Sequence, residues 1–273
     1  METLLFDLDG TLYPLDNGYH MHVRHNLWRF MSEKLGIEEP EKVWRPLFQK
    51  YNQSAKGLRR IGGGYEFDLD DYWTSIRAGA PDFIKEAPPG VKAALESLPQ
   101  AEKYVFTNCN EKEAEEALAL LGIRHHFKGI FGANEMGDTC KPEKEAFLGV
   151  LKTLGADPAK TVMFEDSFKN LVTAKSLGMS TVFIPSETER EEGVSAAQLE
   201  TVDAVVRDVW LGRKLGLAPA LLLISRSLRP ATHNLPHQGS LSHHWMLPLA
   251  AAVLSFAHGT IFDDHGPRCP RTN

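Results

Sequence analysis

The stretch TLLFDLDGT, residues 3–11, decides how this chain is read. An apolar run, Thr3 to Phe6, leads straight into Asp7 and Asp9, followed by Gly10 and Thr11. A short apolar run ended by polar residues reads as a buried strand of a parallel sheet. Burying one unpaired carboxylate is costly, and burying two side by side is worse unless a cation lies between them. The stretch therefore asks for a cation and for further strands beside it.

Both requests find answers along the chain. From residue 86 to about 208, helical and apolar strand patterns alternate. PPGVKAALESLP reads as a helix with proline at its start, and EKEAEEALALLGI as an amphipathic helix with Ala114, Ala117, Leu118 and Leu121 on one face. PEKEAFLGVLKTLGA and SFKNLVTAKSLGM are two more helices; KYVFTN, TVMFED, STVFIP and VDAVV are strands. This alternation predicts an α/β fold, a doubly wound parallel sheet covered on both faces. Residues 15–85 differ: GYHMHVRHNLWRFMSEKLG, PEKVWRPLFQKYNQSAKGL and LDDYWTSIRAG all read as helices. The expected organisation is a core from residues 1–14 and 86–210, with a small all-helical cap at 15–85 inserted after the first strand.

Strand ends in a parallel sheet line up along one edge, where ligands bind in open α/β folds. Three strands end in polar groups: Asp7 and Asp9; Thr107 and Asn108; Glu165, Asp166 and Ser167. Lys141 opens the helical segment before the third. Four carboxylates can thus meet a hydroxyl, backbone amides and one ammonium. Oxygen ligands favour Mg²⁺. With it, one aspartate can attack a phosphoryl group while the other acts as general acid and then base. Lys141 and Thr107 would orient the phosphate oxygens.

The ordered set DLDGTL, VFTN, KP and FEDS resembles the haloacid dehalogenase superfamily of phosphohydrolases over about residues 3–210. The resemblance implies a Rossmann-like core in which Asp7 is phosphorylated and Asp9 is the acid/base. It implies that Thr107, Asn108 and Lys141 hold the phosphate. Asp7, the Asp9 carbonyl and Asp166 would be direct Mg²⁺ ligands, with Glu165 behind them. Within the cap, KYNQSAKGLRRIG and FDLDDYW resemble the pyrimidine 5′-nucleotidase-like branch of yeasts and plants, which makes Lys56, Arg59 and Arg60 candidate substrate contacts. The expected activity is a Mg²⁺-dependent phosphomonoesterase for nucleoside 5′-monophosphates, pyrimidine preferred. Its alternatives are a phosphatase or phosphomutase for another small metabolite such as a sugar phosphate, and a non-catalytic regulator on the same fold.

Composition narrows the partners. A net charge of −6 with no basic stripe argues against nucleic acid. Cys109, Cys140 and Cys269 form no disulfide framework or metal spacing, and the first strand leaves no room for a leader, so a reducing, cytoplasmic setting is expected. Cys109 reads as a packed small residue; His20, His22 and His25 read as surface residues of a helix rather than metal ligands. After Lys214 there is no further lysine, and the segment 211–273 reads as an irregular appendage. Its apolar run WMLPLAAAVLSFA has 13 residues, short of the roughly 20 needed to span a bilayer.

Overall fold

The computed structural model describes residues 3–185 and 195–206. The expected appendage at 211–273 lies outside the described residues. Six strands form one parallel sheet in the order β3-β2-β1-β4-β5-β6. They are β1 (Thr3–Phe6), β2 (Glu102–Phe106), β3 (Gly129–Phe131), β4 (Thr161–Glu165), β5 (Ser180–Phe183) and β6 (Ala204–Val205). The strand order reverses beside β1, which pairs with β2 on one side and β4 on the other. β3 is the strand the apolar patterning does not reveal: it has three residues, all half-buried, and among the described residues it pairs with β2 alone.

Helices cover both faces. One apolar cluster joins Leu4 and Phe6 to Val91, Ala94 and Leu95 of α6 (Pro89–Glu96) and to Ala114, Ala117 and Leu118 of α7 (Glu111–Leu120). The other joins Leu5 and Met163 to Phe147, Val150 and Leu151 of α9 (Lys144–Leu154) and to Leu171 and Ala174 of α10 (Phe168–Ser176). Leu4 and Leu5 therefore bury on opposite faces, as strand alternation requires. Each large apolar side chain so buried contributes about 1.5–3 kcal/mol, which explains why β1 has no polar face. Two short helices, α8 (Ala133–Met136) and α11 (Ala196–Leu199), complete the layers.

Between β1 and α6 the chain forms five helices: α1 (Tyr19–Glu33), α2 (Pro40–Tyr51), α3 (Ser54–Arg60), α4 (Leu69–Arg77) and α5 (Ala80–Phe83). They bury a cluster of their own, including Leu27, Phe30, Met31, Trp44, Leu47, Leu58, Tyr72, Trp73 and Ile76. Phe30 and Tyr72 meet edge to face at 5.3 Å. The single helix expected from PEKVWRPLFQKYNQSAKGL is two, broken where Asn52 adopts a left-handed conformation with φ 55°. Asparagine tolerates that region better than most residues.

Candidate active site

The register of β1 against its neighbours sets up the site. Phe6 lies level with Val105 of β2 and Phe164 of β4. The next residues therefore stand at one height: Asp7 just past β1, Phe106 as the last residue of β2 and Glu165 as the last residue of β4. The Asp7 amide continues the ladder by donating to the Phe164 carbonyl (2.9 Å), and the Thr107 amide donates to the Phe131 carbonyl (2.9 Å).

At this edge the carboxylates of Asp7, Glu165 and Asp166 converge, each offering an oxygen within 4.8 Å of the others. Lys141 is buried among them. Its Nζ donates to Asp7 Oδ1 and to Glu165 Oε2, both at 2.7 Å. Glu165 is further saturated by Asn170 Nδ2 (2.9 Å) and by the backbone amides of Asp166 and Ser167 (3.2 Å each). Gly10 lets Asp166 approach: its φ is +88°, and a Cβ there would lie 2.3 Å from Asp166 Oδ2.

The charges do not balance. Three carboxylates face one ammonium, leaving two negative charges in excess when all are ionised. Burial and like-charge repulsion both disfavour ionising all three. Burial and the Glu165 charge push Asp7 up to about 7, although Lys141 pulls the other way. Burial, with Glu165 and Asp7, pushes Asp166 well above the usual carboxylate range. An all-oxygen donor set with this excess charge fits a divalent cation, and Asp7 and Asp166 are the carboxylates with capacity to hold it.

Asp9 has a different neighbourhood. Arg77, from the end of α4, grips it with two hydrogen bonds, Nη1 to Oδ1 (2.8 Å) and Nη2 to Oδ2 (2.7 Å). The Tyr13 hydroxyl also donates to Oδ1. Burial pushes the Asp9 carboxyl up, but Arg77 and the Tyr13 hydrogen bond win and hold it at about 2. Asp9 is thus an anion with both oxygens occupied.

Residues 1–178 match the family of haloacid dehalogenase-like hydrolases. The chain belongs to that family. Among curated members, it is 25% identical over 189 residues to the phosphorylated carbohydrates phosphatase of Thermotoga maritima, covering 67% of this chain and 84% of the relative. It is 33% identical over 188 residues to the fructose-1-phosphate phosphatase YqaB of Escherichia coli, covering 66% and 94%. Among solved structures, the β-phosphoglucomutase of Clostridium difficile shares the fold with a TM-score of 0.53 at 22% identity, covering 76% of this chain and 90% of that one. The parallel sheet with flanking helices is the haloacid dehalogenase-like, Rossmann-like α/β fold.

The remaining candidate residues of this haloacid dehalogenase-like chain fall into two groups. Thr107 is buried, and its hydroxyl oxygen accepts from the Cys109 amide (3.1 Å). Lys56, Arg59 and Arg60 already have protein partners. Lys56 is buried in an ion pair with Glu143 and lies 3.5 Å from Cys140 Sγ. Arg60 donates to the Asp138 carbonyl (3.0 Å), while Arg59 donates to the Phe67 carbonyl (3.1 Å) and lies over the Phe67 ring. Lys56 and Arg60 thus tie α3 to the segment 138–143 on either side of Lys141, and Arg59 braces the helical insertion. Cys109 and Cys140 are buried free thiols, and burial pushes Cys109 up to about 12. His22 packs on the Phe83 ring, with Nε2 2.8 Å from the Ala78 carbonyl oxygen. No helix among the described residues is long and apolar enough to cross a membrane.

Sequence patterning did not find Arg77 or Asn170. Arg77 is 68 residues from Asp9 and ends a helix where a terminal arginine is ordinary. Asn170 lies five residues after Glu165, on the inner side of α10, and only that burial distinguishes it.

Proposed function

We propose that this protein is a Mg²⁺-dependent phosphomonoesterase acting on small phosphorylated carbohydrates, with the helices at 15–85 serving as a cap over the site. The observation that carries the reading is the meeting of Asp7, Glu165 and Asp166 around one lysine, with two charges left to neutralise. Bound between Asp7, the Asp9 carbonyl and Asp166, Mg²⁺ would neutralise those carboxylates and the phosphate oxygens near them.

The chain's own residues supply the rest. Lys141 holds Oδ1 of Asp7 and leaves Oδ2 to attack phosphorus, forming an aspartyl-phosphate as the ester oxygen departs. Thr107 and Lys141 orient the phosphoryl oxygens. Asp9 gives a proton to the departing oxygen, then takes one from the water that cleaves the acyl-phosphate. A carboxyl held at about 2 carries no proton at neutral pH, so Asp9 must part from Arg77 before it can act as the acid. Arg77 belongs to the insertion, so this step couples Asp9 to movement of those helices.

The resemblance of the cap segments points to nucleoside 5′-monophosphates. The relatives favour the sugar-phosphate alternative, since the two curated ones above are named for phosphorylated carbohydrates and neither for a nucleotide. Lys56, Arg59 and Arg60, the candidate substrate contacts of the cap, are engaged with protein groups. The test is orthophosphate release from a panel of sugar phosphates and nucleoside 5′-monophosphates, with Mg²⁺ and with EDTA. The highest kcat/KM should fall on a sugar phosphate and vanish with EDTA. A preference for pyrimidine nucleotides would instead make the protein a nucleotidase.

A further inference from the structure

Asn108 follows Thr107 at the end of β2, and the family resemblance places it among the phosphate ligands. Its side chain is committed elsewhere. Oδ1 accepts from the Lys141 backbone amide (2.9 Å), while Nδ2 donates to the Lys141 carbonyl (2.9 Å) and to the Asn52 carbonyl (3.0 Å). A carboxamide has two N–H groups, and both are used. What remains is an acceptor lone pair on Oδ1, which would repel a phosphate oxygen.

The Asn108 partners are informative. Lys141 places its ammonium between Asp7 and Glu165. Asn52 ends α2 of the helical insertion. A second pair of contacts strengthens the junction: Gln53 Nε2 donates to the Asn108 carbonyl (3.0 Å), and Asn52 Nδ2 lies 3.4 Å from the Lys141 carbonyl oxygen. The insertion is thus fastened to the same peptide unit that carries the active-site lysine.

We propose that Asn108 is a positioning residue: its amide clamps the Lys141 backbone and, through the same nitrogen, the end of α2, so that seating the insertion on the core and placing the lysine against Asp7 are one event. The clamp itself stands on geometry; only its catalytic consequence rests on the phosphomonoesterase reading.

Two measurements on the full chain test it. The first is hydrogen exchange without substrate. Asn108→Ala, and the isosteric Asn108→Asp that turns the donor into an acceptor, should speed exchange in segments 52–60 and 137–143 together. Gln53→Ala removes one bond at the edge of the junction and keeps the fold within reach should the Asn108 variants unfold. It should also loosen both segments, and loosening of 52–60 alone would overturn the coupling. The second is a double-mutant cycle read by binding of inorganic phosphate in Mg²⁺. Asn108→Ala should weaken binding roughly 5-fold or more beside Lys141 but less than about 2-fold in Lys141→Ala. Equal losses in both backgrounds would make Asn108 a direct phosphate ligand and overturn the proposal. If the wild type neither binds phosphate nor hydrolyses any ester, the functional reading fails, and exchange alone decides the clamp.

Discussion

Arg77 and Asp9 form a two-pronged ion pair, 2.7 and 2.8 Å, between the last turn of α4 and the loop after β1. It joins the helical insertion to the carboxylate on which proton transfer would depend. The Asp9 carboxyl is depressed to about 2 in the folded chain, below an unfolded value near 4. The pair therefore adds stability above the unfolded value, and this is lost as pH falls from about 4 towards 2.

Replacing Arg77 with alanine should remove that contribution, roughly 2 kcal/mol by the size of the displacement. The difference in Tm between wild type and Arg77→Ala should be full at pH 6 and shrink as pH drops below about 4. Thermal melts across pH check this. A difference that stays constant down to pH 2 would mean the lost stability comes from packing of the arginine stem.

Asp7 behaves in the opposite sense. Burial and Glu165 raise it to about 7, so the metal-free chain loses stability as pH rises from about 4 to 7. Mg²⁺ should offset the repulsion that appears over this window. Its addition should raise Tm more at pH 8 than at pH 5. An equal shift at both values would place the ion away from Asp7.

Lys141 lies buried between Asp7 and Glu165. Lys141→Ala leaves two buried carboxylates without their ammonium, a change that costs about 3–5 kcal/mol. Urea denaturation of metal-free protein should show it, with activity lost as well. Mg²⁺ should recover part of the stability and little of the turnover, because on the proposed mechanism the lysine would also orient phosphate.

Gly10→Ala tests the close approach of the loop to Asp166. The new Cβ would meet Asp166 Oδ2 at 2.3 Å in a left-handed backbone, and the backbone strain alone costs about 1–2 kcal/mol. Weaker Mg²⁺ binding by calorimetry is expected, because Asp166 must turn away. Unchanged affinity would show that Asp166 does not ligate the ion.

The division between what was legible and what was not follows range. β1 and β4 are buried on both faces and β2 at its Val105–Phe106 end, so they show as apolar runs, and the polar residues at their ends mark the site. β3 has three half-buried residues and leaves no run to read. The break at Asn52 carries neither glycine nor proline, so the helix pattern passes through it. Arg77 reaches Asp9 across 68 residues, and the pairing arises only when the insertion folds back onto the core. Asn108 was placed among the phosphate ligands by resemblance, yet local sequence could not disclose that Lys141 and Asn52 occupy its amide.

In the proposed mechanism Asp7 is the group that attacks phosphorus. The most direct measurement is Mg²⁺-dependent orthophosphate release from the best sugar phosphate by wild type and by Asp7→Asn, each with its circular dichroism and Tm recorded. The amide is isosteric and cannot form an acyl-phosphate, so Asp7→Asn should fold like the wild type and release no phosphate above background. Turnover near the wild-type rate in the folded Asp7→Asn protein would exclude Asp7 as the nucleophile.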